Sequence, residues 1–204
     1  MSRAVSVLGR APAYFSHCHF SFQWDAKPNA TLHRMKEARL LFTLHDIPYH
    51  PVKRSIAMLL TEFMAHALSN EAENTDLYIY IEHSVQWFDA ASDGYANFHL
   101  VFLLKLARFL GFAPNIEGYA EGCCFDLTRG RFAPSAISAN TPLCSTDATL
   151  LYRLSMTNYE AMSSIAMSRH DRARLIRSLA AYYTQHIPAF PSIKSLEILQ
   201  EVID

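Results

Sequence analysis

Residues 97–115 read NFHLVFLLKLARFLGFAPN, and this stretch decides the fold. From Asn97 to Leu110 apolar side chains run nearly all round the helical wheel, interrupted by Lys105 and Arg108. A helix apolar on every side is buried among other helices. Gly111 suits its C-cap, and Pro114 prevents simple continuation. The run is one short helix long, whereas a membrane span needs about 20 predominantly apolar residues.

The flanking segments share this helical character. After Pro48 and Pro51, Ile56, Leu59, Leu60, Phe63 and Ala67 follow the 3.6-residue period. Asn74 is placed to cap a second helix with Leu77, Ile81, Val85 and Phe88 inward, and Asp93-Gly94 breaks the chain. Downstream, residues 114–145 are interrupted by Gly118, Gly122, Gly130 and Pro134, and Cys123 to Phe132 (CCFDLTRGRF) reads as a small hairpin or ordered loop. Ser145 or Thr146 is expected to cap the next helix, with Leu150, Leu151, Leu154 and Tyr159 inward. Ser168-Arg169-His170-Asp171 has the spacing of a capping box before a long helix to His186. Pro188 and Pro191 end that helix, and Ser192 to Ile203 reads as a last amphipathic one.

The first 40 or so residues differ. In Tyr14 to Trp24 (YFSHCHFSFQW), Phe20, Phe22 and Trp24 fall on one face at period two. Lys27-Pro28-Asn29 reads as a turn, and Thr31 to Leu41 is either a short strand or the approach to the first helix. The division expected is a partial β segment over 1–41 and a helical domain over 42–204, mainly α in all.

The 204 residues are half hydrophobic, enough for a sizeable core. The balance of 18 Lys+Arg against 19 Asp+Glu lacks the basic excess usual in dedicated nucleic-acid domains, so any such contact would rest on local patches. Four cysteines form no disulfide framework, and the N-terminal run, broken by Arg10, makes a poor signal peptide. A reducing, cytoplasmic setting with no membrane contact is expected.

No enzyme site emerges. There is no Gly-x-Ser-x-Gly elbow, Walker loop or Gly-x-Gly-x-x-Gly. Cys123-Cys124 lacks Cys-x-x-Cys spacing, and adjacent cysteines are poorly placed to bridge each other. His17-Cys18-His19 offers two imidazoles on one strand face, but two further ligands at a familiar spacing are missing. No metal and no cofactor are expected. Binding features say more. Arg34, Lys36 and Arg39, followed by Lys53 and Arg54, are candidate phosphate contacts, against the alternative of ordinary solvated cations. Arg129 and Arg131, flanking Gly130, could hold a phosphate or a carboxylate.

Several ordered segments resemble one family. They are HRMKEA (His33 to Ala38), HDIPYHPVK (His45 to Lys53), ANFHLVFLLKLARFLGFAPN (Ala96 to Asn115), FDL (Phe125 to Leu127), NYEAM (Asn158 to Met162) and KSL (Lys194 to Leu196). Together, Leu32 to Asp204 resemble the C-terminal part of the bacterial RecO family of recombination mediators, in its zinc-less branch. The resemblance implies an N-terminal OB fold and a helical C-terminal domain. It also implies binding to single- and double-stranded DNA and to the single-stranded DNA-binding protein SSB, with RecR, to help load RecA in the RecF pathway. An OB fold needs roughly 60 to 80 residues; with about 40 before the helical part, the module is expected to be partial and DNA affinity weaker. Some relatives hold zinc through four cysteines, a set that Cys123, Cys124 and Cys144 cannot reproduce. SSB ends in an acidic tail with a terminal aromatic residue, so its receptor needs an apolar pocket rimmed by cations. Phe98, Phe102, Lys105 and Arg108, with Phe112 beyond, are the candidates, together with Arg129 and Arg131; Phe98 and Phe102 could equally be core. The alternative is a non-catalytic helical scaffold without intrinsic DNA binding.

Overall fold

A computed structural model describes residues 18–25, 34–69, 71–134, 142–197 and 199. Strands β1 (Cys18–Asp25) and β2 (Arg34–Thr43) pair antiparallel, with register shifts between His19 and Phe20 and between Gln23 and Trp24. Of the ambiguous 31–41 stretch, the described residues, 34–41, are strand. The turn expected at Lys27-Pro28-Asn29 lies outside the described residues.

Helix α1 (Pro51–Ala67) starts where the sequence allows it. Pro51 occupies the first helical position, where its missing amide costs nothing, and the His50 side chain accepts from Lys53 N. Ile56, Leu59, Leu60, Phe63 and Ala67 are all buried, so the 3.6-residue stripe faces the core. Helix α2 (Thr75–Ala90) is capped by Asn74 Oδ1, which accepts from Leu77 N at 3.0 Å, a bond worth about 1 kcal/mol. Gly94 then turns the chain at φ 68°, leading through a short 3-10 turn, Tyr95–Asn97, into α3 (Phe98–Phe109).

Helix α3 is the central element. Phe98 through Leu104, Leu106 and Ala107 are buried. Its end is a Schellman motif: Phe112 N donates to Ala107 O at 3.0 Å and Gly111 N to Arg108 O at 3.3 Å, with Gly111 at φ 82°. Phe88 of α2 stacks on Phe98 with centroids 4.2 Å apart. Tyr183 ties the far side by donating to Leu103 O at 2.8 Å.

The glycine-broken segment folds as a three-stranded antiparallel sheet in the order β4-β3-β5, from β3 (Cys124–Asp126), β4 (Arg131–Ala133) and β5 (Pro142–Leu143). The β3–β4 hairpin is one of the two readings the sequence left open, hairpin or ordered loop; the pairing of β5 to β3 was not among them. Helix α4 (Ser145–Ser155) follows β5 directly. Its N-cap is Cys144, so neither Ser145 nor Thr146 caps it as expected. The extended strand runs straight into the helix, which puts Ser145 already inside the first turn. Helix α5 (Arg169–His186) carries the expected capping box between Ser168 and Asp171. Beyond it, helix is described over 195–197 and at 199.

Candidate binding cleft and cationic surface

Five cations proposed from the sequence for DNA fall into three environments. Arg34, Lys36 and Arg39 lie on β2, Arg34 opposite Asp25 and Arg39 opposite Ser21; their side-chain surroundings lie outside the described residues. Arg54 is exposed on α1. Lys53 is a correction. It is fully buried, its ammonium pairs with Asp46 at 2.6 Å, and it donates to the carbonyls of Asp89 (3.0 Å) and Ala91 (2.6 Å). A cation with all its donors spent inside the protein has none left for a phosphate. Asp89 completes this junction, accepting from the amides of His45, Asp46 and Ile47 at 2.8–2.9 Å.

The partner-binding candidates also divide. Phe98 and Phe102 are 1% and 0% exposed, so they are core and cannot meet a partner. Lys105 is half-buried, with its ammonium 4.7 Å from the centre of the Tyr159 ring. Burial lowers its pKa, and the charge of Glu160 pulls the other way. Arg108 is exposed, as is Phe109, which stacks on Tyr80 at 4.9 Å. Tyr80 in turn hydrogen-bonds Tyr159 (3.0 Å) and donates to Phe102 O (2.9 Å), and Ser84 meets the same Tyr159 hydroxyl at 2.8 Å. Burial raises both phenols, Tyr159 to about 12. Arg129 and Arg131 are both exposed beside Gly130; Arg129 lies 3.7 Å from Asp126, whose other oxygen accepts from Thr128 N and Arg129 N.

A cleft of about 450 Å³ opens where the C-terminal ends of α1, α3 and α5 meet. Leu110, Phe112 and Phe190 form apolar wall, while His66, His186 and Glu71 bring polar groups. The His186 ring lies flat on Phe112, centroids 5.5 Å apart, and its Nε2 is 3.0 Å from Leu127 O. That bond carries the cleft wall to the loop of Arg129 and Arg131. Ala189, also lining the cleft, holds φ 57°, a left-handed conformation that costs a residue with a Cβ on the order of 1 kcal/mol. Phe112 was visible in the sequence as a neighbour of the central helix. His66, His186 and Phe190 were not, because they come from helix ends far apart in the chain.

Among the described residues no group of three or more His, Cys, Asp or Glu is placed to hold a metal, and no helix is long and apolar enough to cross a membrane. Cys123, Cys124 and Cys144 are free thiols; of His17-Cys18-His19, His17 lies outside the described residues and the other two are on β1.

The described residues form a mainly α domain with a small sheet, an apolar-walled cleft and exposed arginines. Residues 49–197 match the family described as Recombination protein O C terminal. The DNA repair protein RecO of Phocaeicola vulgatus is 42% identical over 181 residues, 89% of this chain and 75% of that protein. RecO of Bacteroides fragilis is 41% identical over 184 residues, 90% and 76% of the two chains, and that of Azobacteroides pseudotrichonymphae 35% over 170 residues, 83% and 70%. The chain belongs to the RecO family. Its role is in DNA repair, as a recombination mediator and not as an enzyme.

Proposed function

We propose that this chain works in RecF-pathway repair by binding single- and double-stranded DNA, holding the acidic C-terminal tail of SSB, and acting with RecR to help load RecA. The observation that carries the SSB contact is the cleft at the helix ends. It has the volume of a small-ligand pocket and aromatic walls suited to a terminal aromatic side chain. Exposed Arg108 lies two residues before Leu110 of the wall, and Arg129 and Arg131 flank the loop that His186 touches. These guanidiniums would meet the tail's carboxylates. Arg34, Lys36, Arg39 and Arg54 remain the DNA contacts we propose, in a division of partial OB-like β segment over 1–41 and helical domain over 42–204. Mediation then means exchange of partners: weakening SSB's hold biases the strand toward RecA without any bond being made or broken.

Titration of the full chain with a fluorescent peptide of the SSB C-terminal tail tests this. Saturable binding is expected, weakened about tenfold or more by Phe112→Ala or Arg108→Glu, since about 1.4 kcal/mol suffices for a factor of ten. Glu71 on the cleft wall repels an acidic tail, so Glu71→Gln is expected to tighten binding. Binding that is absent, or indifferent to all three changes, removes the cleft from the mechanism.

A further inference from the structure

The sheet brings together two cysteines that stand twenty positions apart in the sequence. Strand β5 pairs antiparallel with β3 through Phe125 opposite Leu143 and Asp126 opposite Pro142. Continuing that register by one step past the end of β5 would set Cys124 opposite Cys144. The backbone supports that step, because Cys144 is still extended, at φ −63° and ψ 161°, before α4 begins. Pro142 has no amide to donate, and the Cys144 carbonyl is already taken by Ala148 N at 2.8 Å. That assigns the ladder bonds to the Phe125/Leu143 pair, and by the antiparallel alternation a Cys124/Cys144 pair would be non-hydrogen-bonded. Such pairs hold their Cα atoms about 4.5 Å apart with side chains on the same face. A disulfide accepts Cα separations of roughly 4.4–6.8 Å.

The face they share is the outer one. Phe125 and Leu143 are buried, while Cys124 is half-buried and Cys144 exposed. On the other flank of Cys124 stands Ala133, a small side chain. Cys123 differs: it is 5% exposed and belongs to the core.

We propose that Cys124 and Cys144 are an oxidant-responsive thiol pair, closing a reversible cross-strand disulfide that staples β5 and the start of α4 to β3. Hydrogen peroxide is the oxidant class. One sulfur, the accessible Cys144, attacks peroxide, whose O–O bond breaks to give a sulfenic acid and water. The Cys124 thiolate then attacks that sulfur, the S–S bond forms, and the hydroxyl leaves as a second water. Two thiols surrender two electrons and two protons, and one peroxide becomes two waters. In a reducing compartment such a bond is transient, and thiol–disulfide exchange reopens it.

Treatment of the full chain with stoichiometric hydrogen peroxide, followed by thiol counting and proteolysis without reductant, tests the pair. Of the four cysteines, two are expected to remain titratable, with one cross-linked peptide joining Cys124 to Cys144 and full recovery in dithiothreitol. The oxidised chain is expected to melt several degrees higher than the reduced one. Cys144→Ser, at an exposed position, is expected to abolish the cross-link, whereas Cys123→Ser leaves it in place. Thiols that survive peroxide unlinked, a bridge that uses Cys123 or Cys18, or loss of thiols only into chain-to-chain dimers would each overturn the proposal.

Discussion

Replacing Lys53 by Met keeps the buried stem and removes the ammonium, which leaves the carbonyls of Asp89 and Ala91 without their donor. Each orphaned group costs about 1–3 kcal/mol. Asp46 is 47% exposed and can return to water, so most of the penalty rests on the two carbonyls. Lys53→Met is expected to lower stability by roughly 2–6 kcal/mol in urea denaturation while leaving the salt dependence of DNA binding unchanged. His99 supplies the pH-dependent counterpart. It is 1% exposed, its Nδ1 has no partner among the described residues, and burial, helped by the charge of Arg172, pushes its pKa down to about 3. The folded state thus holds the neutral ring while the unfolded chain protonates near 6.5. This contribution is fully present above about pH 6.5 and is lost as the pH falls from there toward 3. At pH 5 the loss is about 2 kcal/mol. Asp171, with Ser168 and Arg174 bonded to it, is held down to about 2, below this window. Denaturation at pH 7 and pH 5 is expected to show the slope in the native chain and its absence in His99→Leu.

At the scale of elements, Glu62 of α1 joins the final helical stretch to the body of the domain. Its carboxylate accepts from Lys194 N at 2.9 Å and Ser195 N at 2.8 Å, and the Ser195 hydroxyl bonds it too. A helix N-terminus is thereby capped by a side chain from another helix, where negative charge also suits the dipole. Burial raises the Glu62 pKa, but the bonds from Ser195 and Lys194 outweigh it, leaving the carboxyl below its ordinary value. The latch is therefore at full strength above about pH 4.5 and weakens as pH falls through the depressed pKa. Glu62→Ala is expected to cost about 1–2 kcal/mol and to expose residues beyond 192 to proteolysis first. Unchanged cleavage there would show that Ile193 and Leu199, both buried, hold the segment without it.

For the molecule as a whole, the chain passes from strands to helices through residues 44–50, and Asp89 of α2 fixes that passage by gathering three successive amides. Bonds to a carboxylate are about twice as strong as neutral ones. Asp89→Asn is expected to destabilise the chain by at least about 2 kcal/mol, with the first protease cuts moving to 44–50. Cuts elsewhere would place the weakest point of the molecule away from the junction. The same passage explains Lys53: the cation sits at the focus of Asp46 and the α2 C-terminal carbonyls, so it organises the entry into the helical domain.

Periodicity and capping chemistry act over three or four residues, so the sequence alone was enough for α1, α2, α3 and α5, for the Asn74 and Ser168 caps, and for the glycine turn at 111. The ordered motifs likewise carried the family. What a side chain faces across the fold is a different matter, because it depends on residues tens of positions away. Nothing local distinguishes Lys53 from a solvated cation, since Asp46, Asp89 and Ala91 enclose it only once α2 packs beside α1. Phe98 and Phe102 entered the core for the same reason, under Phe88, Trp87 and Tyr80. The cleft, and the β3–β5 pairing on which the proposed Cys124/Cys144 pair rests, exist only after helix ends and strand edges from separate parts of the chain have met. The helical run at 97–115 determined what kind of domain this is; tertiary packing decided which of its residues a partner can reach.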